Sequence, residues 1–137
     1  MASLPPRDPI TCHVLDQTTG LPAASLSVTL TVGVSGPAPA TFTARTSTAD
    51  GRINAWTPAP QAPALADTLR RLVAAGQGGG GRIVCALWFD TKGYFGEEGT
   101  FFPEVEIRFF VGGGAGAQHW HVPLLLGPWS YTTYRGS

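Results

Sequence analysis

The chain is poor in charged residues and in long apolar runs, and each shortage excludes a class of protein. Charged residues make up 13% of the 137 positions, and nine basic residues balance nine acidic ones. No window concentrates lysine and arginine as contact with a phosphate backbone requires, so a nucleic-acid partner is not expected. The longest apolar runs, such as residues 122–126, are far shorter than the roughly 20 residues that cross a bilayer. We therefore expect no membrane partner either.

Cysteine and targeting signals are also scarce. The two cysteines, Cys12 and Cys85, lie in apolar strand-like segments, where buried free thiols are expected rather than a disulfide. Residues 1–9 lack the apolar centre of a secretory signal, and the final Arg-Gly-Ser is not the usual peroxisomal signal. We expect a cytoplasmic protein, with a peroxisomal location as the alternative.

Glycine and proline, by contrast, are abundant, with 18 and 12 residues, and hydrophobic residues make up 43% of the chain. This composition is typical of short strands joined by many turns around a core. Alternating apolar positions predict strands at residues 10–16, 26–34, 40–47, 52–56, 82–89, 102–111, 119–126 and 129–135. Leucines at helical spacing predict an amphipathic helix over residues 64–75. The sequence thus indicates an all-β, antiparallel sandwich of seven to eight strands with one or two short helices.

The three histidines are the main candidates for chemistry. Strand parity turns His13 away from the core face of its strand, and it puts His119 and His121 together on the outer face of theirs. That outer face continues with Pro123 and Leu125, so it is apolar beyond the histidines. We expect another subunit to cover it, with the histidines at or near the joint.

Other interpretations of the histidines stay open at this point. Ordinary surface imidazoles are the simplest, although three histidines on outer faces weaken that interpretation. A zinc site with three nitrogen ligands is a second, but no carboxylate neighbours the pair in sequence to orient the rings. No nucleophile elbow, Walker loop or dinucleotide fingerprint is present. We therefore expect neither a metal nor an organic cofactor.

Three segments resemble the 5-hydroxyisourate hydrolases, the transthyretin-like enzymes of urate degradation in purine metabolism. They are TCHVLD at residues 11–16, TADGR at residues 48–52 and HWHVPLLLGPWSYTTYRGS at residues 119–137. Segments 89–95 and 101–106 are also similar to the middle of that family, so the resemblance extends over residues 10–137.

The resemblance also indicates how the chain is divided into an arm and a domain. Residues 1–9 are expected to form a flexible amino-terminal arm, followed by a single transthyretin-like hydrolase domain at residues 10–137. Compared with the family, residues 60–81, with the helix and a glycine run, and residues 112–117 look like surface insertions.

The family further implies a homotetramer with active sites in a channel where dimers meet. By motif, His13, Arg52 and His121 are the catalytic residues. The other matched residues are expected to bind substrate, and they are His119, Tyr134, Arg135, Gly136 and Ser137. In transthyretins that carry hormones the corresponding histidines and this ending are replaced, so their retention favours an enzyme.

These residue types suit the hydrolysis of 5-hydroxyisourate to 2-oxo-4-hydroxy-4-carboxy-5-ureidoimidazoline. An imidazole with a pKa near neutral pH can take a proton from the attacking water, and either His13 or His121 fits that role. The planar, permanently charged guanidinium of Arg52 suits the substrate and the oxyanion that forms on it. The alternative is a small-molecule carrier of the same fold, in which the histidines only line the binding channel.

Overall fold

The computed structural model describes residues 7–76, 81–112 and 118–137. These residues contain ten strands: β1 (Ile10–Asp16), β2 (Leu21–Pro22), β3 (Ser27–Val32), β4 (Ala40–Arg45), β5 (Arg52–Ile53), β6 (Thr57–Pro58), β7 (Arg82–Phe89), β8 (Val105–Gly112), β9 (Trp120–Leu126) and β10 (Tyr131–Thr133). The described part also contains helices α1 (Leu65–Ala74) and α2 (Thr91–Phe95), and a short 3-10 helix at Glu97–Gly99.

The strands form two sheets of five. The first sheet has the order β10-β9-β1-β2, and β5 pairs with β1 as well, whereas the second sheet has the order β6-β4-β3-β7-β8. Strands β1 and β9 run parallel, and the other pairs among the described residues are antiparallel. The predicted transthyretin-like sandwich is confirmed, except that β1 and β9 pair in parallel rather than antiparallel. The strand predicted at residues 52–56 is present as the two-residue β5. The two-residue strands β2 and β6, which are too short for periodicity to reveal, raise the number of strands to ten.

One core lies between the sheets. Its largest fully buried side chains include Phe42, Phe89, Leu30 and Leu124, which come from both sheets. Both cysteines are free and buried, as the sequence predicts. Burial raises the pKa of each thiol to about 12, so both remain protonated and unreactive at neutral pH.

Helix α1 confirms the prediction of an amphipathic helix. Leu65 and Leu69 are buried, although Val73, predicted on the same face, is 45% exposed. The helix ends before Gly76, whose φ of 72° lies in the left-handed region and whose N–H donates to the Val73 carbonyl. Within the two predicted insertions, residues 77–80 and 113–117 lie outside the described residues.

Helix α2 lies between the strands predicted at residues 82–89 and 102–111, in a segment for which no helix was predicted. The carboxylate of Asp90 accepts a hydrogen bond from the Gly93 N–H at 3.0 Å and so caps the helix. The Tyr94 hydroxyl donates to the Asp16 carboxylate at 2.8 Å. This bond ties α2 to the carboxyl end of β1. Five residues are too few for an apolar period, which is why periodicity misses the helix.

The beginning of the described chain is held by hydrogen bonds. The Trp56 N–H donates to the Asp8 carboxylate at 2.7 Å, and the Trp120 N–H donates to the Pro9 carbonyl at 2.8 Å. The rest of the predicted arm, residues 1–6, lies outside the described residues. Among the residues described, none of the helices has the length and apolar character that spanning a bilayer requires.

Candidate active site

Strand β1 lies between the strands that carry the other candidate residues. In the antiparallel pairing of β1 with β5, His13 is the register partner of Arg52. In the parallel pairing of β1 with β9, Thr11 is the partner of His121. Because partners in register share a face of the sheet, all four side chains lie on the outer face of the first sheet. The inward-facing neighbour Cys12 is buried in the core.

The turn before β5 determines the position of Arg52. Gly51 has a φ of 72°, and its carbonyl accepts a hydrogen bond from the Val14 N–H at 3.0 Å. A Cβ at Gly51 would lie 2.6 Å from the Val14 carbonyl oxygen. Only glycine therefore fits both the backbone conformation and the close approach to β1. The Asp50 carboxylate accepts from the Arg52 N–H at 3.0 Å and completes the turn.

A threonine joins two of the three histidines. The Thr11 hydroxyl is 2.9 Å from His119 Nε2 and 2.7 Å from His121 Nδ1. The two imidazoles are nearly parallel, with centroids 6.2 Å apart and 22° between their planes. Thr11 is only 2% exposed although it lies on the outer face of the sheet. Two hydrogen bonds thus hold both rings over this one hydroxyl.

The surroundings keep both of these histidines neutral. Partial burial, and after it the positive charge of Arg52, lowers the pKa of His121 below its usual 6.5, with smaller effects from His119, His13 and Arg7. Partial burial and then the charge of Arg7 lower the pKa of His119 in the same direction. Each ring is therefore an uncharged imidazole at neutral pH, able to accept a proton.

The carboxyl-terminal tail returns to His121. The Gly136 N–H donates to the His121 carbonyl at 2.8 Å, and the two residues form an isolated antiparallel bridge. A Cβ at Gly136 would lie 2.7 Å from His121 Cδ2 and 3.0 Å from the Pro123 ring. Gly136 therefore packs directly against the imidazole. The neighbouring tail residues Tyr134, Arg135 and Ser137 are all exposed.

Two clefts border the histidines. One of about 420 Å³ is lined by His121, Tyr134 and Arg135 together with side chains of β8 and β9. The other, of about 780 Å³, is lined by His119 together with side chains of α1, β7 and β8. His13 and Arg52 line neither of these two clefts, and in the single chain the Arg52 side chain is 44% exposed.

A metal centre finds no support in the described residues. Nowhere in residues 7–76, 81–112 and 118–137 do three or more histidine, cysteine or acidic side chains group so that they could hold a metal ion. The zinc alternative therefore lacks a ligand set there. The hydroxyl of Thr11 lies within hydrogen-bond distance of both His119 and His121.

The structure brings together His13, Arg52, His119, His121 and Gly136, and sequence analysis missed two residues beside them. Thr11 shares the parity of His13 in β1, and that parity was the available signal. Arg7 influences both His119 and His121 from the segment predicted as an arm, and the sequence gives no signal for that contact. Pro123, predicted to need another subunit, is already buried by the tail of its own chain.

Comparisons with known proteins agree with this geometry. Residues 10–136 match the model of the HIUase/Transthyretin family. The chain is 38% identical to a 5-hydroxyisourate hydrolase of Mus musculus over 94% of this chain and 95% of that protein.

Two solved structures are similar as well. The 5-hydroxyisourate hydrolase of Klebsiella pneumoniae superposes with a TM-score of 0.61 at 26% identity over 93% of this chain and 97% of that one. Transthyretin from Sparus aurata superposes with a TM-score of 0.68 at 26% identity over 95% of this chain and 97% of that one. Because the family model covers residues 10–136 and the relative from Mus musculus is 38% identical over 94% of this chain, the chain belongs to the HIUase/Transthyretin family.

Proposed function

We propose that this protein hydrolyses 5-hydroxyisourate to 2-oxo-4-hydroxy-4-carboxy-5-ureidoimidazoline, with His13, Arg52 and His121 as its catalytic residues. The observation that carries the proposal is the register of β1, which pairs His13 with Arg52 on one side and Thr11 with His121 on the other. Two imidazoles and a guanidinium on one face are the groups that water attack on a ring amide requires. The relative from Mus musculus is named for the same activity.

We assign the general base to His121, whose ring is held by the Thr11 hydroxyl 2.7 Å from its Nδ1. Its lowered pKa leaves the ring neutral at neutral pH, so it can remove a proton from water. The water oxygen then attacks the amide carbonyl carbon, and the carbonyl oxygen gains the negative charge. When the carbon–nitrogen bond breaks, the proton that His121 removed from water passes to the ring nitrogen, so His121 ends the cycle neutral. His13 polarises the substrate ring through a hydrogen bond.

Arg52 stabilises the charge that develops on the substrate. Its side chain is 44% exposed, and the Asp50 carboxylate lies 3.8 Å from its Nε. The planar guanidinium still has donors that can reach the carbonyl oxygens of a flat, oxygen-rich ring. The same positive charge lowers the pKa of His121, so Arg52 both binds the oxyanion and keeps the base neutral.

The tail is proposed to form the remaining part of the substrate site. Gly136 is fixed against His121, so Arg135 and Ser137 on either side of it lie close to the base. Tyr134 and Arg135 line the cleft that borders His121. His119 contributes through its hydrogen bond with the Thr11 hydroxyl.

The working form is proposed to be a homotetramer with active sites where dimers meet. His13 is partly exposed and Arg52 is exposed in the single chain, and a second copy facing the first sheet would cover both. Strands β8 and β10 each lie at the end of their sheet, with exposed aromatic side chains at Phe110 and Tyr131. Unpaired edge strands of this kind favour pairing with another copy.

Light scattering on the eluted peak of a size-exclusion column tests the assembly. We expect a mass four times the 14.4 kDa of the chain. A monomer at micromolar concentration would contradict the tetramer without bearing on the chemistry of the residues.

Activity is tested by producing 5-hydroxyisourate from urate with uricase and following the ultraviolet decay of the intermediate. We expect catalytic amounts of this protein to accelerate the decay, and His121→Ala to abolish the acceleration. Arg71→Ala, an exposed arginine on α1, is the control and is expected to retain full activity.

A carrier of the transthyretin type is the second candidate, because the superposition with Sparus aurata transthyretin shows that the sandwich is shared. The residues of the site separate the two functions. A correctly assembled protein that binds flat aromatic ligands but leaves the decay of 5-hydroxyisourate unchanged would favour the carrier.

A further inference from the structure

The buried Thr11 hydroxyl has one hydrogen and two imidazole partners. Among the residues that the structure describes, its contacts within hydrogen-bond distance are His119 Nε2 and His121 Nδ1. A neutral imidazole has one N–H donor and one acceptor nitrogen. If both rings donated, the buried hydroxyl hydrogen would lack a partner, and if both accepted, one bond would have no hydrogen. One ring must donate to Thr11 while the other accepts from it.

Only one of the two possible directions is compatible with a base at His121. If the Thr11 hydroxyl donates to His121 Nδ1, then the neutral ring carries its hydrogen on Nε2 and has no free lone pair. If His121 Nδ1–H donates to Thr11, then Nε2 is unprotonated and can accept a proton. After it accepts one, Nδ1–H still donates to Thr11, so the hydrogen bonds need no rearrangement during the reaction.

We propose that Thr11 is a positioning residue that couples the two rings: its hydroxyl accepts from His121 Nδ1 and donates to His119 Nε2, which leaves His121 Nε2 free as the base. His119 is thus the terminal acceptor of the chain of hydrogen bonds, with its own hydrogen on Nδ1. The proposal rests on the proposed function for the role of His121, but the arrangement of hydrogens is a property of the free protein.

The charges around the pair keep both rings neutral, as the proposed arrangement requires. Arg52, His13 and Arg7 are the charged or titratable groups that influence His121 from the neighbouring segments. Arg7 also disfavours a positive charge on His119, which keeps that ring neutral as an acceptor must be. Two imidazolium rings with centroids 6.2 Å apart would repel each other, so the pair holds at most one extra proton near neutral pH.

Nitrogen-15 NMR of the histidine side chains tests the proposal without substrate. The chain has three histidines, so each ring can be assigned by substitution. We expect His121 and His119 to carry their hydrogen on Nδ1 in the wild type and in Thr11→Ser. Thr11→Val, which removes the hydroxyl at nearly constant volume, is expected to shift His121 toward the tautomer with its hydrogen on Nε2. Wild-type His121 protonated at Nε2 would overturn the proposal.

Kinetics provide the second measurement. We expect Thr11→Val to lower kcat about tenfold with KM little changed, and Thr11→Ser to restore kcat to within about twofold of the wild type. Thr91→Val, at a buried threonine in α2, is the control and is expected to change neither kcat nor the tautomers. A Thr11→Val enzyme with wild-type kcat and tautomers would overturn the coupling while leaving the hydrolase function intact.

A pair of His119 variants tests the coupling even if Thr11→Val fails to fold. His119→Phe removes the acceptor, so the Thr11 hydroxyl is expected to turn and donate to His121 Nδ1, and kcat is expected to fall. His119→Gln offers an amide oxygen in place of Nε2 and is expected to retain more activity. Equal kcat and equal His121 tautomers in the two variants would overturn the proposal. A wild type that fails to accelerate the reaction would instead contradict the function, and the NMR result would still decide the coupling.

Discussion

The inner and outer faces of β1 and β9 differ sharply, although the same two strands form both faces. On the inner face, Val14 and Leu124 are fully buried and make only apolar contacts within the core. On the outer face, Thr11 and His121 are joined by a hydrogen bond at 2.7 Å. Side chains that alternate across a strand let one segment support the core and hold the chemistry.

This difference shows that alternate positions along one strand serve different purposes: one set stabilises the core, and the other set carries the chemistry of the site. A side chain on the inner face is surrounded by close-packed atoms, so its loss leaves a cavity. A side chain on the outer face has fewer neighbours, and its loss removes a donor, an acceptor or a charge instead. Substitutions one position apart along β9 are therefore expected to have effects of different kinds, and the following predictions test that expectation.

The largest expected effect is on stability, at Leu124. This side chain is fully buried, so Leu124→Ala is expected to lower the free energy of unfolding by about 2–5 kcal/mol. The half-buried neighbour Leu125 is the control, and Leu125→Ala is expected to cost the chain less than half as much. Chemical denaturation at one fixed protein concentration measures both. Equal losses would break the comparison between the two faces.

The next effect is on turnover, at Arg52 and His121. We expect Arg52→Ala and His121→Ala each to lower kcat/KM by roughly a hundredfold or more, because each removes stabilisation of charge or proton transfer in the transition state. The uricase-coupled decay measures the rate, and thermal unfolding is expected to stay near that of the wild type. A large loss of stability in both variants would show that the outer face also supports the fold.

A smaller effect is expected where the tail meets His121. Gly136→Ala puts a methyl group 2.7 Å from His121 Cδ2, so the ring or the tail must move. We expect kcat to fall about tenfold, since a displaced catalytic group loses alignment with its substrate. Gly99→Ala is the control, because its Cβ would make an ordinary contact at 3.6 Å. Neither glycine has a positive φ, so backbone strain does not explain a difference between the variants.

The smallest expected effect is on the pH dependence of the free energy of unfolding, to which His119 and His121 contribute. The folded protein lowers the pKa of His119 and His121 below the usual 6.5, so the unfolded chain binds more protons below about that pH. The stability that the two histidines contribute is fully present above pH 6.5, and it is lost as the pH falls through their lowered pKa values. We expect the free energy of unfolding to decrease from pH 7 downward, and the double variant His119→Gln/His121→Gln to flatten that slope. If the free energy of unfolding fell equally with pH in both proteins, that result would contradict the lowered pKa values of His119 and His121.

Much of this architecture was predictable from short-range patterns. Period-two alternation located β1 and β7 with their observed bounds, and leucine spacing located α1 within one residue at each end. The Asp50-Gly51 turn before Arg52 was visible as well. That turn also located β5, although only the first two residues of the predicted strand at residues 52–56 pair. Strands β2 and β6 and helix α2 were not predicted, because elements of two to five residues carry no measurable period and owe their form to the neighbours they contact.

The sequence by itself determined which residues face outward and which chemistry they carry, because parity and residue type are local properties. It also carried the motifs by which the family is recognised. Only the tertiary structure decided that β9 pairs in parallel with β1, that Thr11 lies between His119 and His121, and that Gly136 packs on the imidazole. The residues of each of these contacts are more than ten positions apart in the chain, so they exist only once the strands pair.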